Sequence, residues 1–127
     1  MNTVVVGLGS NIHPAENIQK AKTLLSQEHQ LIAESRLLET APIGIKEQNK
    51  FLNGALLIKT TLDYPAFNQN LKEIEARLGR EKVHSKSASR TIDLDILIWN
   101  EKVVHQDFHN REFVKKSVLE LIPDLKS

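Results

Sequence analysis

The stretch T-I-D-L-D-I-L-I-W, residues 91–99, decides how the rest of the chain is interpreted. Its apolar and β-branched residues predict a strand, and Asp93 and Asp95 then point to the same face because side chains alternate along a strand. Their stems lie ~6.6 Å apart, where two carboxylates repel by roughly 2.5 kcal/mol at an effective dielectric constant of ~20. We therefore expect positive charge beside this pair.

The segment just before this strand, R-E-K-V-H-S-K-S-A-S-R at residues 80–90, supplies that charge. It carries Arg80, Lys82, Lys86 and Arg90 against a single carboxylate. Paired carboxylates beside a basic, serine-rich loop are typical of magnesium held against a polyphosphate, because Mg²⁺ uses one or two carboxylates plus phosphate oxygens. From spacing alone, a solvated strand face with surface ion pairs remains the alternative.

A helix is predicted upstream of the basic segment. Apolar residues recur there at helical spacing, Asp63 suits the N-cap position, and Gly79 suits the end of the helix. The apolar residues of this face are Phe67, Leu71, Ile74 and Leu78.

Working outward, the remaining pattern predicts an alternation of strands and helices. Strands are expected at residues 3–8, 30–39 and 53–62, helices at residues 14–28 and 111–121, and a short extended piece at residues 103–104. The order strand, helix, strand, strand, helix, strand predicts an α+β fold. We expect a ferredoxin-like antiparallel sheet (β-α-β-β-α-β) with its helices packed on one face.

Composition bounds the function. A chain of 127 residues suits a single domain, residues 1–127, and its net charge of +1 gives no reason to expect nucleic-acid or membrane binding. The absence of cysteine excludes disulfides and thiolate sites, and no signal peptide or membrane-spanning stretch is evident. A cytoplasmic protein that acts on small anionic molecules is the expectation.

Two further motifs have competing interpretations. G-L-G-S-N, residues 7–11, lacks the third glycine of a dinucleotide-binding fingerprint, so we expect a tight turn whose glycines let the backbone approach a strand or ligand. His105 and His109 lie close to Asp107, but a zinc site needs more ligands than this stretch offers, which favours solvated loop histidines.

Four side chains in or beside the predicted elements are candidates for binding. Phe51 and Phe113 are ordinary core candidates, yet two aromatic faces with the amide of Asn53 between them would suit a flat heterocycle. Glu75 borders the apolar stripe of the second helix, where it is either a surface residue or a neighbour of the proposed metal site.

Five blocks in order resemble a known family: G-L-G-S-N, E-T-A-P-I-G, F-L-N-G-A, E-I-E-A-R-L-G-R-E and S-R-T-I-D-L-D-I-L. Together they are similar to 6-hydroxymethyl-7,8-dihydropterin pyrophosphokinases of the folate pathway, and the R-x-x-D-x-D block is the most specific. The resemblance implies a ferredoxin-like fold and transfer of pyrophosphate from ATP to the pterin hydroxymethyl group, with release of AMP. It also implies two Mg²⁺ ions and ATP as co-substrate. A monomer is a separate expectation.

The resemblance assigns roles to particular residues. The metal ligands are Asp93 and Asp95, which with Arg80 and Arg90 form the catalytic set. The pterin-binding residues are Thr40, Pro42, Gly44, Phe51, Asn53 and Phe113. The ATP-binding residues are Glu75, Lys82, Arg90, Ile96 and Arg111.

The chain departs from the family pattern in two places. Ser87, Ala88 and Ser89 stand where a Trp-Gly-Pro-like triplet is usual, and a V-P-H-like nucleotide-contacting stretch between Trp99 and Arg111 is missing. A second hypothesis is therefore a weakly active or inactive paralogue that serves as a pterin- or nucleotide-binding module. An RNA-binding ferredoxin-like domain is disfavoured, because the central strand residues Leu94 and Ile96 are not aromatic.

Overall fold

A computed structural model describes residues 1–40, 50–79 and 91–125 of the protein. Strands and helices alternate through these ranges. The strands are β1 (Asn2–Ser10), β2 (Gln30–Glu34), β3 (Leu38–Thr40), β4 (Phe51–Thr60), β5 (Asp93–Trp99) and β6 (Lys102–Val103). The helices are α1 (Pro14–Glu28), α2 (Tyr64–Leu78), α3 (Asp107–Asn110) and α4 (Glu112–Leu121).

The strands of the described residues form one antiparallel sheet in the order β2-β4-β1-β5-β6. Strand β3 follows β2 along the same edge of β4, so the predicted extended stretch at residues 30–39 is two short strands. The predicted α+β class with an antiparallel sheet is confirmed. The centre of the sheet is β1, whose two neighbours are β4 and β5.

Helices α1 and α2 cover one face of the sheet. Val4, Val6 and Leu8 of β1 point into this core, which is the larger of two apolar clusters. Phe67 and Leu71 of α2 are both 0% exposed, as the helical spacing predicts. Asp63 caps α2, since its Oδ1 accepts a hydrogen bond from the backbone N–H of Ala66 at 3.0 Å.

The prediction that the helices pack on one face holds for α1 and α2 but is wrong for α4. Val5 of β1 faces the opposite way, and Val118 of α4 packs with it in a second apolar cluster on the other side of the sheet. The reason lies in β1 itself: its run of valines is apolar at consecutive positions, so both faces of the central strand require cover.

Several elements differ in kind or extent from the sequence-based expectation; β4, for example, is Phe51–Thr60 rather than residues 53–62. The stretch around His109, expected to be irregular, contains the short helix α3. The first strand reaches Ser10 rather than ending at Leu8. Among the described residues, no helix combines the length and the apolar character needed to cross a bilayer.

Candidate active site

A cavity of about 330 Å³ opens on the face of the sheet that carries α4, at the end where β1, β4 and β5 meet α3 and α4. It gathers most of the described residues that the sequence singled out for binding. The predicted site residues that line it are Thr40, Phe51, Asn53, Asp93, Asp95, Arg111 and Phe113. Residues far apart in the chain therefore share one surface, which is what a binding site requires.

The floor of the cavity includes the two glycines of G-L-G-S-N. Gly7 pairs with Asp95 and Gly9 pairs with Asp93 across the β1–β5 ladder, so these residues continue a strand and the predicted tight turn is wrong. Both glycines lie close to a side chain of a neighbouring strand. A Cβ on Gly7 would lie 2.8 Å from Leu97 Cδ1, and a Cβ on Gly9 would lie 2.7 Å from Asn53 Oδ1.

Asn53 is held in a defined orientation over Gly9. Its Nδ2 donates a hydrogen bond to Thr40 Oγ1 at 2.6 Å, which links the end of β3 to β4. The rings of Phe51 and Phe113 line the same cavity, from β4 and α4 respectively. An oriented amide next to two aromatic side chains is suited to a flat heterocycle with donors and acceptors on its edge.

The carboxylates of Asp93 and Asp95 lie on the cavity face of β5, both partly exposed, while Leu94 between them is 0% exposed. The same-face arrangement predicted from their spacing is therefore confirmed. Within the described ranges no group of three or more metal-binding side chains occurs. Two carboxylates that open onto a cavity nevertheless fit Mg²⁺, because this ion commonly completes its shell with water and substrate phosphate oxygens.

Helix α2 contacts the outer edge of β5 at Leu94, between the two aspartates. Glu75 Oε2 accepts the backbone N–H of Leu94 at 2.7 Å, and Lys72 Nζ donates to the carbonyl oxygen of Leu94 at 3.2 Å. Lys72 also lies 3.4 Å from Glu75 Oε1 and 3.8 Å from Asp95 Oδ1. Of the two alternatives that the sequence left open for Glu75, the structure has it beside the aspartate pair, where it binds backbone and does not line the cavity.

Of the other residues predicted to bind ATP, one lines the cavity, one is buried in the core, and two lie outside the described residues. Arg111 lines the cavity at the start of α4, where its Nε lies 4.0 Å from Asp107 Oδ1. The side chain of Ile96 is 3% exposed and belongs to the core beneath α1 and α2. Five predicted site residues lie outside the described residues: Pro42, Gly44, Arg80, Lys82 and Arg90.

Asp107 is a cavity-lining residue to which the sequence-based roles assigned nothing. It lies at the start of α3, where its backbone N–H donates to His105 Nδ1 at 3.1 Å and its carboxylate faces Arg111. The i, i+4 spacing of Asp107 and Arg111 was the signal that could have found it, because such pairs meet on a helix. The histidines drew attention to this stretch for a different chemistry.

Comparison with known proteins agrees with this geometry. Residues 5–123 match the family model described as 7,8-dihydro-6-hydroxymethylpterin-pyrophosphokinase. The chain belongs to this pyrophosphokinase family. The resemblance seen in the five sequence blocks is therefore confirmed.

Curated relatives cover nearly the whole chain. Several relatives are named 2-amino-4-hydroxy-6-hydroxymethyldihydropteridine pyrophosphokinase. The one from Haemophilus influenzae is 33% identical over 98% of this chain and 84% of that protein. The one from Pseudomonas aeruginosa is 35% identical over 97% of this chain and 82% of that protein. The one from Bacillus subtilis is 31% identical over 94% and 78%. The alignment with the H. influenzae protein runs over 137 positions, whereas this chain has 127 residues. The H. influenzae protein therefore contains internal insertions relative to this chain.

Proposed function

We propose that the protein transfers the pyrophosphoryl group of ATP to the hydroxymethyl group of 6-hydroxymethyl-7,8-dihydropterin, releasing AMP. The observation that carries the proposal is the single cavity in which Asp93 and Asp95 lie together with Asn53 and two phenylalanines. One end of this cavity offers ligands for a metal–phosphate group, and the other offers a surface for an aromatic heterocycle. The family match and the relatives' names support the same reaction.

At the heterocycle end, the proposal assigns the pterin to the space between Phe51 and Phe113. The amide of Asn53, fixed by Thr40, would read the donors and acceptors on the pterin edge. A ring held on both faces has little rotational freedom, so its hydroxymethyl group points in one direction. This orientation supplies the positional part of the rate enhancement.

At the phosphate end, Asp93 and Asp95 would hold Mg²⁺, which supplies charge neutralisation at the phosphate oxygens. Arg111 adds a planar cation at the cavity wall, where it can bind phosphate oxygens in a bidentate manner. Pyrophosphoryl transfer depends mainly on in-line placement and electrostatic stabilisation, and it requires little covalent chemistry from the protein. The charged side chains of Asp93, Asp95 and Arg111 in the cavity support the electrostatic part of this proposal, and the proposal assigns no dedicated general base.

Several finer features belong to this proposal. They are two Mg²⁺ ions per active site, phosphate contacts from Arg80, Lys82 and Arg90, pterin contacts at Pro42 and Gly44, ATP contacts at Glu75 and Ile96, a monomer, and a cytoplasmic location. We also assign the sheet to the ferredoxin-like group. The succession β1-α1-β2 and β4-α2-β5 with β1 at the centre supports that assignment.

The test is AMP release from ATP and 6-hydroxymethyl-7,8-dihydropterin, measured for the wild type, Asp95→Asn and a control, Asp124→Asn. Asp95→Asn keeps the size of the side chain but removes the negative charge that would bind Mg²⁺, so we expect AMP release to fall by at least about a hundredfold. The control removes an equal charge from an exposed residue outside the cavity lining. Equal activity of Asp95→Asn and wild type would contradict the proposed metal site.

One observation favours a second candidate, a module that binds pterin without turnover. Only the two-residue strand β6 and the four-residue helix α3 lie between β5 and α4, so little chain is available there to surround a nucleotide. If the wild type binds pterin in calorimetry but releases no AMP at saturating ATP and Mg²⁺, this second function replaces the first. Turnover by the wild type would exclude it.

A further inference from the structure

Lys72 has three partners at the edge of β5, and they differ in kind. Two of them are fixed parts of the structure: the carbonyl oxygen of Leu94 at 3.2 Å and the carboxylate of Glu75 at 3.4 Å. The third is Asp95, whose Oδ1 lies 3.8 Å away and whose side chain is 44% exposed. The lysine thus connects the edge of the sheet to one of the two carboxylates proposed to bind metal.

We propose that Lys72 is a positioning residue that neutralises Asp95 in the metal-free protein and competes with the divalent cation for this carboxylate. The inference rests on the proposed metal site and goes beyond it, since it names the residue that adjusts the affinity of that site. An ammonium group and a divalent cation cannot both lie against the same carboxylate oxygen without mutual repulsion. Binding of the cation therefore requires Lys72 to withdraw from Asp95.

The geometry shows why withdrawal is easy. The Lys72 side chain is 46% exposed, and when it leaves Asp95 its hydrogen bond to Leu94 and its ion pair with Glu75 remain available. No buried charge is left without a partner. The competition is therefore modest and reversible, which suits a site that must exchange its metal–nucleotide complex in every cycle.

The expected size of the effect follows from the exposure of the pair. Ion pairs between partly exposed side chains change an equilibrium by at most about fivefold. Removing the charge of Lys72 should therefore increase the affinity of the protein for a divalent cation by about two- to fivefold. The sign is diagnostic, because a merely structural role for Lys72 would lower the affinity when the residue is replaced.

The experiment measures Mn²⁺ binding from the electron paramagnetic resonance signal of free Mn²⁺, with and without a non-hydrolysable ATP analogue. The variants are Lys72→Gln, which retains a donor for the Leu94 carbonyl, and Lys72→Arg, which retains the charge. The matched control is Lys22→Gln. Lys22 pairs with Glu34 at 2.7 Å on α1 and β2, and β2 lies three strands from β5, about 14 Å, beyond the Debye length at physiological salt.

We expect Lys72→Gln to bind Mn²⁺ two- to fivefold more tightly than the wild type, with Lys72→Arg and Lys22→Gln close to the wild type. If the wild type binds Mn²⁺ and Lys72→Gln binds it equally or more weakly, the inference about Lys72 is overturned and the proposed metal site is not affected. Failure of the wild type to bind Mn²⁺ even with the analogue overturns the proposed metal site, and with it the competition.

A second measurement needs no metal. Urea unfolding of the metal-free wild type, Lys72→Gln, Asp95→Asn and the double variant forms a double-mutant cycle. We expect the changes in the unfolding equilibrium constant to be non-additive by about two- to fivefold, because each single variant already loses the ion pair. Additive changes would show that the two side chains do not interact in solution and would overturn the inference.

Discussion

Replacement of Gly9 by alanine is expected to weaken pterin binding without unfolding the protein. The new methyl carbon would lie 2.7 Å from Asn53 Oδ1, and ordinary contact begins at 3.4 Å. The amide must therefore move away from β1, in a pocket where its Nδ2 is tied to Thr40 at 2.6 Å. The strand itself accepts alanine, because Gly9 is paired in the β1–β4 and β1–β5 ladders.

The magnitude follows from the hydrogen bonds that the amide can make. A displacement from 2.7 to 3.4 Å moves the amide far enough to stretch a ligand hydrogen bond of about 2.9 Å to about 3.6 Å, where it no longer counts as one. Each lost hydrogen bond weakens binding by about 1 kcal/mol, so two lost bonds to the pterin edge correspond to about a 30-fold increase in Kd.

The assay is calorimetric titration of the pterin into the wild type, Gly9→Ala and Gly7→Ala, with thermal unfolding to verify the fold. Gly7→Ala is the matched comparison, since the same methyl group on the same face of β1 meets the flexible end of Leu97 rather than a hydrogen-bonded amide. We expect it to weaken binding several-fold less than Gly9→Ala. A Gly9→Ala variant that binds pterin within twofold of the wild type would refute the role of Asn53 in reading the pterin edge.

Two further predictions concern the elements that support the site. Phe67→Ala removes a fully buried ring of α2 that packs 4.9 Å from the His29 ring. We expect urea unfolding to show that the free energy of unfolding falls by about 3–5 kcal/mol. The control, Glu73→Ala at an exposed position, should lower it by under about 1 kcal/mol. Glu75→Ala leaves the Leu94 N–H without its acceptor, which lowers the free energy of local opening by about 1–3 kcal/mol. The Leu94 amide should therefore exchange with deuterium at least about fivefold faster. An unchanged Leu94 exchange rate in Glu75→Ala would contradict the hydrogen bond between Glu75 of α2 and Leu94 of β5.

The sequence predicted the elements whose patterns are local. Helix α2 was predictable because its cap, its apolar spacing and its terminal glycine lie within one continuous segment. The shared face of Asp93 and Asp95 followed from the two-residue period of a strand, whatever the rest of the fold. The family was visible for a related reason, since each of its blocks is a short contiguous pattern.

Other features depended on which strands became neighbours. The glycines of G-L-G-S-N were predicted to form a turn, but they lie in a strand. They lie close to Leu97 and Asn53 on adjacent strands, and no local sequence pattern reveals such contacts. Helix α4 occupies the second face because β1 is apolar on both sides, a property that became decisive only when β1 was placed at the centre of the sheet.

The sequence by itself determined the chemistry of the site: two carboxylates on one strand face, an amide and aromatic side chains. Only the tertiary structure decided that these groups meet in one cavity and that Lys72 contacts Asp95 from the edge of β5. The physical reason is range. Backbone periodicity and capping act over a few residues, whereas the contact between Lys72 and Asp95 exists only because α2 packs against β5.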